Sequence, residues 1–262
     1  MIAPLDGPFL EGRLVRRYKR FLADIDLDGE AITAHCPNSG SMLGMDDPGS
    51  PVLVRHVPDP KRKLKWTWEM VQVDGAWVGC NTARPNEVVR RAIEAGLVPG
   101  LDASHGIRPE VRYGTNSRID LLLGDEEHGL TYVEIKNTTL ARDATAPKAA
   151  VGPLWKTAKA VREGYPVGRG PGPHVATFPD AITARGAKHM DELAAVVEAG
   201  HRAAVVFFIH RADCDRFDVA RDIDPAYAAA FDRAVAAGVQ VIPLGVAPGP
   251  EGWRIRGVLP MA

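Results

Sequence analysis

The sequence predicts a two-domain chain of the α+β or α/β class, with a five-stranded β-barrel over residues 1–82 and a mixed domain over residues 83–262. Three observations predict this fold. Roughly the first 80 residues form short alternating runs without a convincing helical pattern. The pattern turns helical near Asn81. From there the order is α-β-β-β-α-β, in which three consecutive strands precede a helix that crosses to a solidly apolar strand.

Five segments of the first domain are predicted strands, separated by Gly, Pro and Asp turns. They are GRLVRRYKRFL, ADIDLDG, EAITAHC, SPVLVRHV and LKWTWEMVQV. In the second of them, Ile25 and Leu27 alternate with aspartates, as in a half-buried strand. A small closed barrel is the economical arrangement of five antiparallel strands in this length.

The second domain begins with a predicted helix in NTARPNEVVRRAIEAG, capped by Asn81 or Thr82 and ended by Gly96. Its later predicted elements are the strands EVRYG, RIDLLL and TYVEIKNTT, the helix TARGAKHMDELAAVVEAG, the strand AAVVFFI, a helix after Asp224, and the strands VQVIPLGV and WRIRGVL. Residues 141–177, rich in proline and glycine, receive no assignment except a short helix in PLWKTAKAVRE.

The composition narrows the functional class. Hydrophobic residues at 45% and charged residues at 25% are ordinary values for a globular protein. The net charge of −1 means that any site for a polyanion is a local patch. Three distant cysteines without a CxxC pair argue against a disulfide framework or a cysteine zinc site. Without a targeting pattern or a run of transmembrane length, we expect a cytoplasmic protein with no membrane partner.

Residues 118–136, RIDLLLGDEEHGLTYVEIK, place charged groups inside two apolar runs. A hairpin centred near residue 127 would set Asp120 opposite Glu134, with β-carbons about 5 Å apart. Opposed carboxylates repel unless a cation lies between them, and Mg²⁺ or Mn²⁺ favours oxygen ligands of this kind. Lys136 would share the face of Glu134. The alternative is an ordinary ion pair between Glu134 and Lys136 on a solvated edge strand.

Five segments together resemble the SfsA family, named for sugar fermentation stimulation protein A. They are HCPNSGSM (35–42), RIDLLL (118–123), YVEIKNTTL (132–140), FPDAITARGAKHMDEL (178–193) and IDPAYAAAF (223–231). The order of the elements, with an acid on the second strand and E-x-K on the third, also resembles the PD-(D/E)xK nuclease superfamily. This resemblance implies an N-terminal OB-like barrel, a restriction-endonuclease-like αβββαβ domain and a DNA-binding role.

The resemblance also implies a metal and catalytic set. Asp120 and Glu134 would bind Mg²⁺ or Mn²⁺ with the carbonyl of Ile135, and Lys136 would assist the attacking water or the developing charge. An acid from the first helix would be Glu87, with Glu110 as a rival. The expected function is a DNA-binding protein that acts as a metal-dependent nuclease with little sequence preference. The alternative is a non-catalytic DNA-binding regulator of sugar (maltose) metabolism genes.

Two basic clusters of the barrel are candidate contacts to a phosphate backbone. They contain Arg13, Arg16, Arg17, Lys19 and Arg20 in RLVRRYKR, and Lys61, Arg62 and Lys63 in RHVPDPKRKLK. The alternative is a solvated face balanced by the aspartates of the neighbouring strand.

Two polar segments are further candidate phosphate contacts. HCPNSGSM offers backbone amides with Asn38, Ser39 and Ser41, although the same residues are typical of a plain turn. In FPDAITARGAKHM, we expect Asp180 and Lys188 to face the cleft of Asp120, with Arg185 near a phosphate. The alternative is a capped helix start with Asp180 or Thr183 as N-cap.

Overall fold

The barrel strands follow one another along the first third of the chain. A computed structural model describes residues 8–114, 116–145 and 165–262. Its first six strands are β1 (Phe9–Tyr18), β2 (Leu22–Leu27), β3 (Glu30–His35), β4 (Pro51–His56), β5 (Trp66–Val73) and β6 (Ala76–Gly79). They pair in the order β3-β2-β1-β4-β5-β6, and β3 also pairs with β5. The predicted five-stranded barrel is therefore confirmed.

The closure of the barrel differs from an all-antiparallel arrangement in one respect. The closing pair, Ala34 with Trp66 and His35 with Thr67, is parallel. An odd number of alternating strands leaves the first and the last pointing the same way, so closure of five strands requires one parallel pair. The short strand β6, which the sequence did not predict, extends the sheet beyond β5.

The second domain contains three helices and nine strands in its described part. They are α1 (Arg84–Glu94), β7 (Ile107–Tyr113), β8 (Ser117–Leu123), β9 (Thr131–Thr138), β10 (Leu140–Arg142), β11 (His174–Phe178), α2 (Ala184–Glu198), β12 (Arg202–Ile209), β13 (Cys214–Val219), α3 (Pro225–Ala237), β14 (Gln240–Gly249) and β15 (Gly252–Val258). The main sheet has the order β15-β14-β12-β9-β8-β7. As predicted, β12 is an apolar central strand, buried from Ala203 to Ile209 and parallel to both of its neighbours.

A small second sheet, β10-β11-β13, was not predicted. Each of its strands is three to six residues long, too short for a clear alternating pattern. Strand β11 begins in the Pro/Gly-rich stretch that had no assignment and ends one residue after it. The predicted helix PLWKTAKAVRE lies outside the described residues.

Side-chain capping determines where two of the three described helices of this domain begin. Thr183 caps α2 by accepting a hydrogen bond from the Gly186 amide, and Asp224 caps α3 through the Tyr227 amide. The predicted cap of α1 was wrong, since its N-cap residue is Ala83, without a side-chain cap. Asn81 lies two residues before the N-cap and accepts a hydrogen bond from the Ala83 amide at 3.0 Å.

The two domains share a hydrophobic core. Leu53 and Met70 of the barrel belong to the same buried cluster as Val89 of α1 and Val206 of β12. The backbone amide of Gly79 donates to the His210 carbonyl at 2.9 Å, and a Cβ at position 79 would lie 1.9 Å from the His210 ring. Glycine is therefore required where β6 meets the second domain. Helices α2 and α3 cover the other face of the main sheet.

Across the described ranges, the structure contains no helix with the length and apolar character needed to cross a membrane.

Candidate functional site

The sheet opens around Asp120. Strands β8 and β9 pair through Leu121–Val133, Leu122–Tyr132 and Leu123–Thr131, so the next position of that register opposes Asp120 and Glu134 as the hairpin prediction required. On the other side, the pairing of β7 with β8 passes from Pro109–Leu121 to Val111–Ile119. Neither ladder contains a pair at Asp120. Its carboxylate instead accepts a hydrogen bond from the Ile135 amide at 2.7 Å.

Glu134 lies beside Asp120 in a buried position. Its Oε1 accepts a hydrogen bond from Lys136 Nζ at 2.7 Å and lies 2.5 Å from His189 Nδ1. Its Oε2 is buried and has no hydrogen-bond partner among the described residues. An unsatisfied buried carboxylate oxygen is costly, and it marks the place where a further positive ligand would be favourable.

The contacts of His189 assign its tautomer. Arg185 Nε, which can only donate, lies 3.3 Å from His189 Nε2, so Nε2 is the acceptor. The ring proton of a neutral His189 is then on Nδ1 and is donated to Glu134. Lys136 Nζ lies 3.4 Å from the same Nδ1, but two donors cannot bond each other, so this contact is only an approach. His189 therefore orients Glu134 from α2.

The two carboxyl groups have opposite pKa shifts. Burial, and then the charge of Glu134, raises the pKa of Asp120 to about 6. Burial also acts to raise the pKa of Glu134, but the hydrogen bond from His189 and the charge of Lys136 outweigh it and hold that pKa below its usual value. Glu134 is thus the stable anion of the pair, and the ionisation of Asp120 is opposed by its surroundings.

These observations fit a hard divalent cation. Glu134 Oε2 is buried without a partner among the described residues, and the pKa of Asp120 is raised. Both observations indicate that the negative charge of this buried site is not fully compensated by the protein. Residues Asp120 and Glu134 would hold such an ion. The structure brings the amide of Ile135 to Asp120, and the carbonyl of Ile135 stays a predicted third ligand.

Asp120→Asn is expected to be more favourable for the stability of the metal-free protein at neutral pH than at acidic pH. The folded pKa of about 6 exceeds the ordinary value of 3.8, so ionised Asp120 destabilises the fold above about pH 6, and the penalty fades as the pH falls toward 3.8. Two pKa units correspond to about 3 kcal/mol. Urea unfolding in EDTA should show that the stability of Asp120→Asn relative to wild type is about 2–3 kcal/mol more favourable at pH 8 than at pH 4. The comparison between the two pH values cancels the constant cost of the Asn amide, whose NH₂ group faces one of the donors Asn86 and Ile135.

The exposed Asp28→Asn, in the β2–β3 turn, is the matched control and should change stability by less than about 0.5 kcal/mol at both pH values. A stability difference between wild type and Asp120→Asn that is the same at pH 8 and pH 4 would contradict the raised pKa.

The acid predicted from the first helix requires a correction. The carboxylate of Glu87 is bound by Arg90 and Arg91 on the same helix, at 3.0 and 2.5 Å. Its predecessor Asn86 points to the site instead, and its Nδ2 donates to Asp120 Oδ1 at 2.9 Å. Adjacent helical residues point about 100° apart, so only one of the two can face Asp120. The rival Glu110 is exposed, opposite Asp120 in the β7 register, with φ 55°.

Most basic side chains of the barrel lie at its surface, where they can meet a phosphate backbone. Arg13, Arg16, Lys19, Arg20, Lys61 and Lys63 are exposed, and Arg62 is half-buried. Arg16 is paired with Asp24 at 2.8 Å, and Arg62 donates to Thr67 at 3.0 Å.

Arg17 is the exception, and its prediction as a DNA contact was wrong. Its side chain is 8% exposed, and its guanidinium donates to the carbonyls of Asn38 and Gly40 at 2.9 and 3.0 Å. A donor fixed on two carbonyls in the protein interior has a structural role, which here is to hold the 38–40 loop.

The predicted phosphate nest in HCPNSGSM already binds an anion from the same chain. The Asp180 carboxylate accepts hydrogen bonds from the amide and hydroxyl of Ser41 at 3.2 and 2.8 Å. Asn38 is buried and accepts from the Gly40 amide at 2.8 Å, and Ser39 is exposed. Asn38 and Ser41 therefore form a turn that joins the barrel to the segment before α2, which corrects both their phosphate role and the predicted direction of Asp180.

The two basic residues predicted on α2 are exposed and flank the site differently. Arg185 contacts His189 and so lies one residue away from Glu134. Lys188 Nζ lies 3.3 Å from Ser117 Oγ at the start of β8 and 3.4 Å from Glu192. Both cations are near the strands that carry Asp120 and Glu134.

A groove of about 480 Å³ joins the basic end of the barrel to the start of α1. Its lining contains His35, Pro37, Arg55, Arg62, Lys63, Leu64, Thr67, Asn81 and Ala83. Asn86, which contacts Asp120, lies one helical turn beyond Ala83. The groove therefore lies between the second basic cluster and the start of α1, the helix that carries Asn86.

Asn86 and His189 were missed as site residues. Each reaches the site across many residues, 34 from Asn86 to Asp120 and 55 from His189 to Glu134. The one available signal for His189 was its polar segment before the apolar stripe of α2. For Asn86, the signal was its place in the first turn of a helix that follows a strand.

Comparison with known proteins agrees with this architecture. Residues 15–80 match the family model described as the SfsA N-terminal OB domain. Residues 83–150 and 169–252 match the sugar fermentation stimulation protein RE domain. The solved structure of SfsA from Pyrococcus furiosus in complex with Ca²⁺ aligns with a TM-score of 0.78 at 22% identity, over 100% of this chain and 98% of that chain.

Two curated relatives, both described as sugar fermentation stimulation protein homologs, cover almost the whole chain. The protein from Rhodospirillum centenum is 50% identical over 249 residues, 95% of this chain and 94% of its own length. The protein from Geotalea uraniireducens is 47% identical over 253 residues, 96% of each chain. With both domain models matched in order, the chain belongs to the sugar fermentation stimulation protein (SfsA) family.

Proposed function

We propose that this protein is a divalent-metal-dependent nuclease that binds DNA with little sequence preference and hydrolyses its phosphodiester bonds. The observation that carries the proposal is the buried, unpartnered Oε2 of Glu134 beside Asp120, whose pKa is raised to about 6. Two carboxylates that can hold a divalent cation, with a lysine beside them, suit phosphodiester hydrolysis, because the cation activates water and stabilises the developing charge.

The side chains divide the chemical work. Asp120 and Glu134 bind the Mg²⁺ or Mn²⁺, which when present supplies Lewis-acid stabilisation and lowers the pKa of a water. Lys136 carries a positive charge beside Glu134, where it orients the attacking water or stabilises the extra charge of the phosphorane. His189 holds Glu134 in place, and Asn86 does the same for Asp120.

The barrel and the groove supply the binding surface in this proposal. Arg62 and Lys63 line the groove that leads toward α1, and Lys19 and Arg20 lie in the turn beside its β3 end. Contacts of this kind meet the phosphate backbone and carry little sequence information. The presence of Ca²⁺ in the complex of the Pyrococcus furiosus relative supports a hard divalent cation, because Ca²⁺ also takes oxygen ligands.

The test combines metal binding with catalysis. Thermal unfolding is measured with and without Mg²⁺ and Mn²⁺, together with cleavage of single- and double-stranded DNA and RNA. We expect a metal-dependent rise in Tm and metal-dependent cleavage of DNA, both lost in Asp120→Asn. A metal effect without cleavage of any substrate would leave a metal-assisted binder. Absence of both would end the nuclease proposal, and selection from random DNA would then test a sequence-specific regulator.

Charge reversal in the second basic cluster of the barrel is expected to weaken DNA binding and to reduce its dependence on salt. Lys61→Glu with Lys63→Glu removes two phosphate contacts, and each contact contributes about 0.9 to the slope of log K against log salt concentration. The slope should fall by about two in fluorescence-anisotropy titrations at several salt concentrations.

The control reverses two exposed arginines of the main sheet, Arg202 and Arg254, which gives the same change in net charge. An equal loss of affinity in both double variants would mean that the overall charge of the protein, and not the second basic cluster, determines DNA binding.

A further inference from the structure

A second group of metal-ligand side chains lies at the other end of the strands that carry Asp120 and Glu134. His105 precedes β7, and Asp125 with His128 belongs to the β8–β9 turn. One ligand atom from each residue lies within 4.8 Å of the others. Among the described residues, one group of three or more His, Cys, Asp or Glu side chains has its ligand atoms this close together, and it consists of these three residues.

The turn holds two of these ligands in place. Asp125 Oδ1 accepts hydrogen bonds from the amides of Glu127 and His128 at 3.0 and 2.8 Å and lies 2.9 Å from His128 Nδ1. Among the residues that the structure describes, no hydrogen bond reaches Asp125 Oδ2. This exposed oxygen is therefore available to a cation while Oδ1 maintains the turn.

The two imidazoles already face each other. The rings of His105 and His128 are stacked, with centroids 3.7 Å apart and planes 12° from parallel. The backbone brings their loops together, because the Gly124 amide donates to the Gly106 carbonyl at 3.0 Å and Ile107 pairs with Leu123. The sheet thus holds the two loops side by side, and the stacked rings have to turn before their nitrogens can converge on one ion.

We propose that His105, Asp125 and His128 form a surface site for Zn²⁺. Two imidazoles with one carboxylate suit Zn²⁺ and its late-transition-metal neighbours, whereas Mg²⁺ favours oxygen ligands alone. Zn–N bonds of about 2.0–2.1 Å require the ligand atoms to move closer, which exposed side chains achieve by rotamer changes. Water completes the tetrahedron.

This site is separate from the proposed nuclease centre. Asp125 follows Asp120 by five residues along an extended strand and turn, which corresponds to roughly 16 Å. A Zn²⁺ ion here would connect the loop before the edge strand β7 to the turn that follows β8. Because it binds the folded arrangement, it would stabilise this end of the sheet.

The test is calorimetric titration of the full-length, untagged chain with Zn²⁺ in the Asp120→Asn background, which removes a ligand of the other centre. We expect one saturable Zn²⁺ per chain, unaffected by excess Mg²⁺. His105→Ala and His128→Ala should each weaken it at least about tenfold. Since the ligands are exposed, circular dichroism should show unchanged folding in both variants.

His201→Ala is the matched control, because His201 is exposed immediately before β12 of the same sheet and its removal should leave Zn²⁺ affinity unchanged. Absence of saturable binding in Asp120→Asn would overturn the proposal, as would equal affinity in the His105 and His128 variants and the control. Neither result would test the proposed nuclease activity, because every titration uses a protein that lacks Asp120.

Discussion

Lys136→Ala is expected to lower metal-dependent DNA cleavage by about 10²- to 10³-fold, the usual loss when one group that stabilises transition-state charge is removed. Lys136 Nζ lies 2.7 Å from Glu134 Oε1, and its side chain is 11% exposed. Its charge is therefore little screened by water. Single-turnover cleavage at saturating DNA and Mg²⁺ measures the effect.

Metal binding by Lys136→Ala, unlike cleavage, should not decrease. Without Lys136, Glu134 keeps its hydrogen bond from His189 but loses a neighbouring cation. The net charge around the two carboxylates therefore becomes more negative, which favours a bound cation. The Mg²⁺-dependent rise in Tm should be equal to that of wild type or larger. Loss of cleavage with metal binding intact separates a catalytic lysine from a structural one.

Lys188→Ala is the matched control. Lys188 lies on α2 beside Ser117, and its side chain is 49% exposed. Its removal should alter DNA affinity more than the rate at saturation. Cleavage by Lys136→Ala at the wild-type rate would remove Lys136 from the mechanism. Its role would then be only to balance the charge of Glu134.

The sequence predicted the centre of the site because local rules determine it. Alternation along a strand and the length of a hairpin turn fix which residues oppose each other, so the register of β8 and β9 followed from RIDLLLGDEEHGLTYVEIK. The pairs Leu121–Val133 and Leu122–Tyr132 have that register. The resemblance to the family was likewise carried by contiguous segments.

The residues that complete the site follow from tertiary packing, which no local pattern records. Asn86 was passed over for Glu87 because an acid is the more common partner in such folds, whereas the helix orientation turns Glu87 toward Arg90. Arg17 belongs to a basic run that looks solvated, yet the loop after β3 folds over it. Both errors came from predicting the direction of a side chain without the neighbouring element.

A buried carboxylate in β5 connects the two domains and was also missed. Glu69 has no exposed surface, and three residues donate to it: Arg55 at 3.0 Å, Arg84 at 2.9 Å and Asn81 at 2.9 Å. In the sequence it looked like one polar residue in the apolar run WTWEMVQV. Because Arg84 begins α1, the cluster connects the barrel to the helix that presents Asn86 to Asp120.

Glu69→Ala is expected to destabilise the protein by about 3–5 kcal/mol, because it leaves Arg55 and Arg84 in a buried place without their carboxylate. Burial acts to raise the pKa of Glu69, but Arg84 and Arg55 outweigh it and hold that pKa below its usual value of 4.5. The contribution of the ionised group is therefore full above about pH 4.5, and the difference between wild type and variant should shrink as the pH falls below it.

Urea unfolding at pH 7.5 and pH 4 measures both quantities, and Glu94→Ala, an exposed acid at the end of α1, serves as the control with a change below about 0.5 kcal/mol. The triple variant Arg55→Met, Glu69→Met, Arg84→Met separates the two possible causes of the loss. Recovery of most of the stability would mean that the unpaired arginines cause it, since apolar side chains of similar size remove the need for pairing. A Glu69→Ala variant within about 1 kcal/mol of wild type would show that water reaches this cluster and that the domain junction depends on the shared apolar core instead.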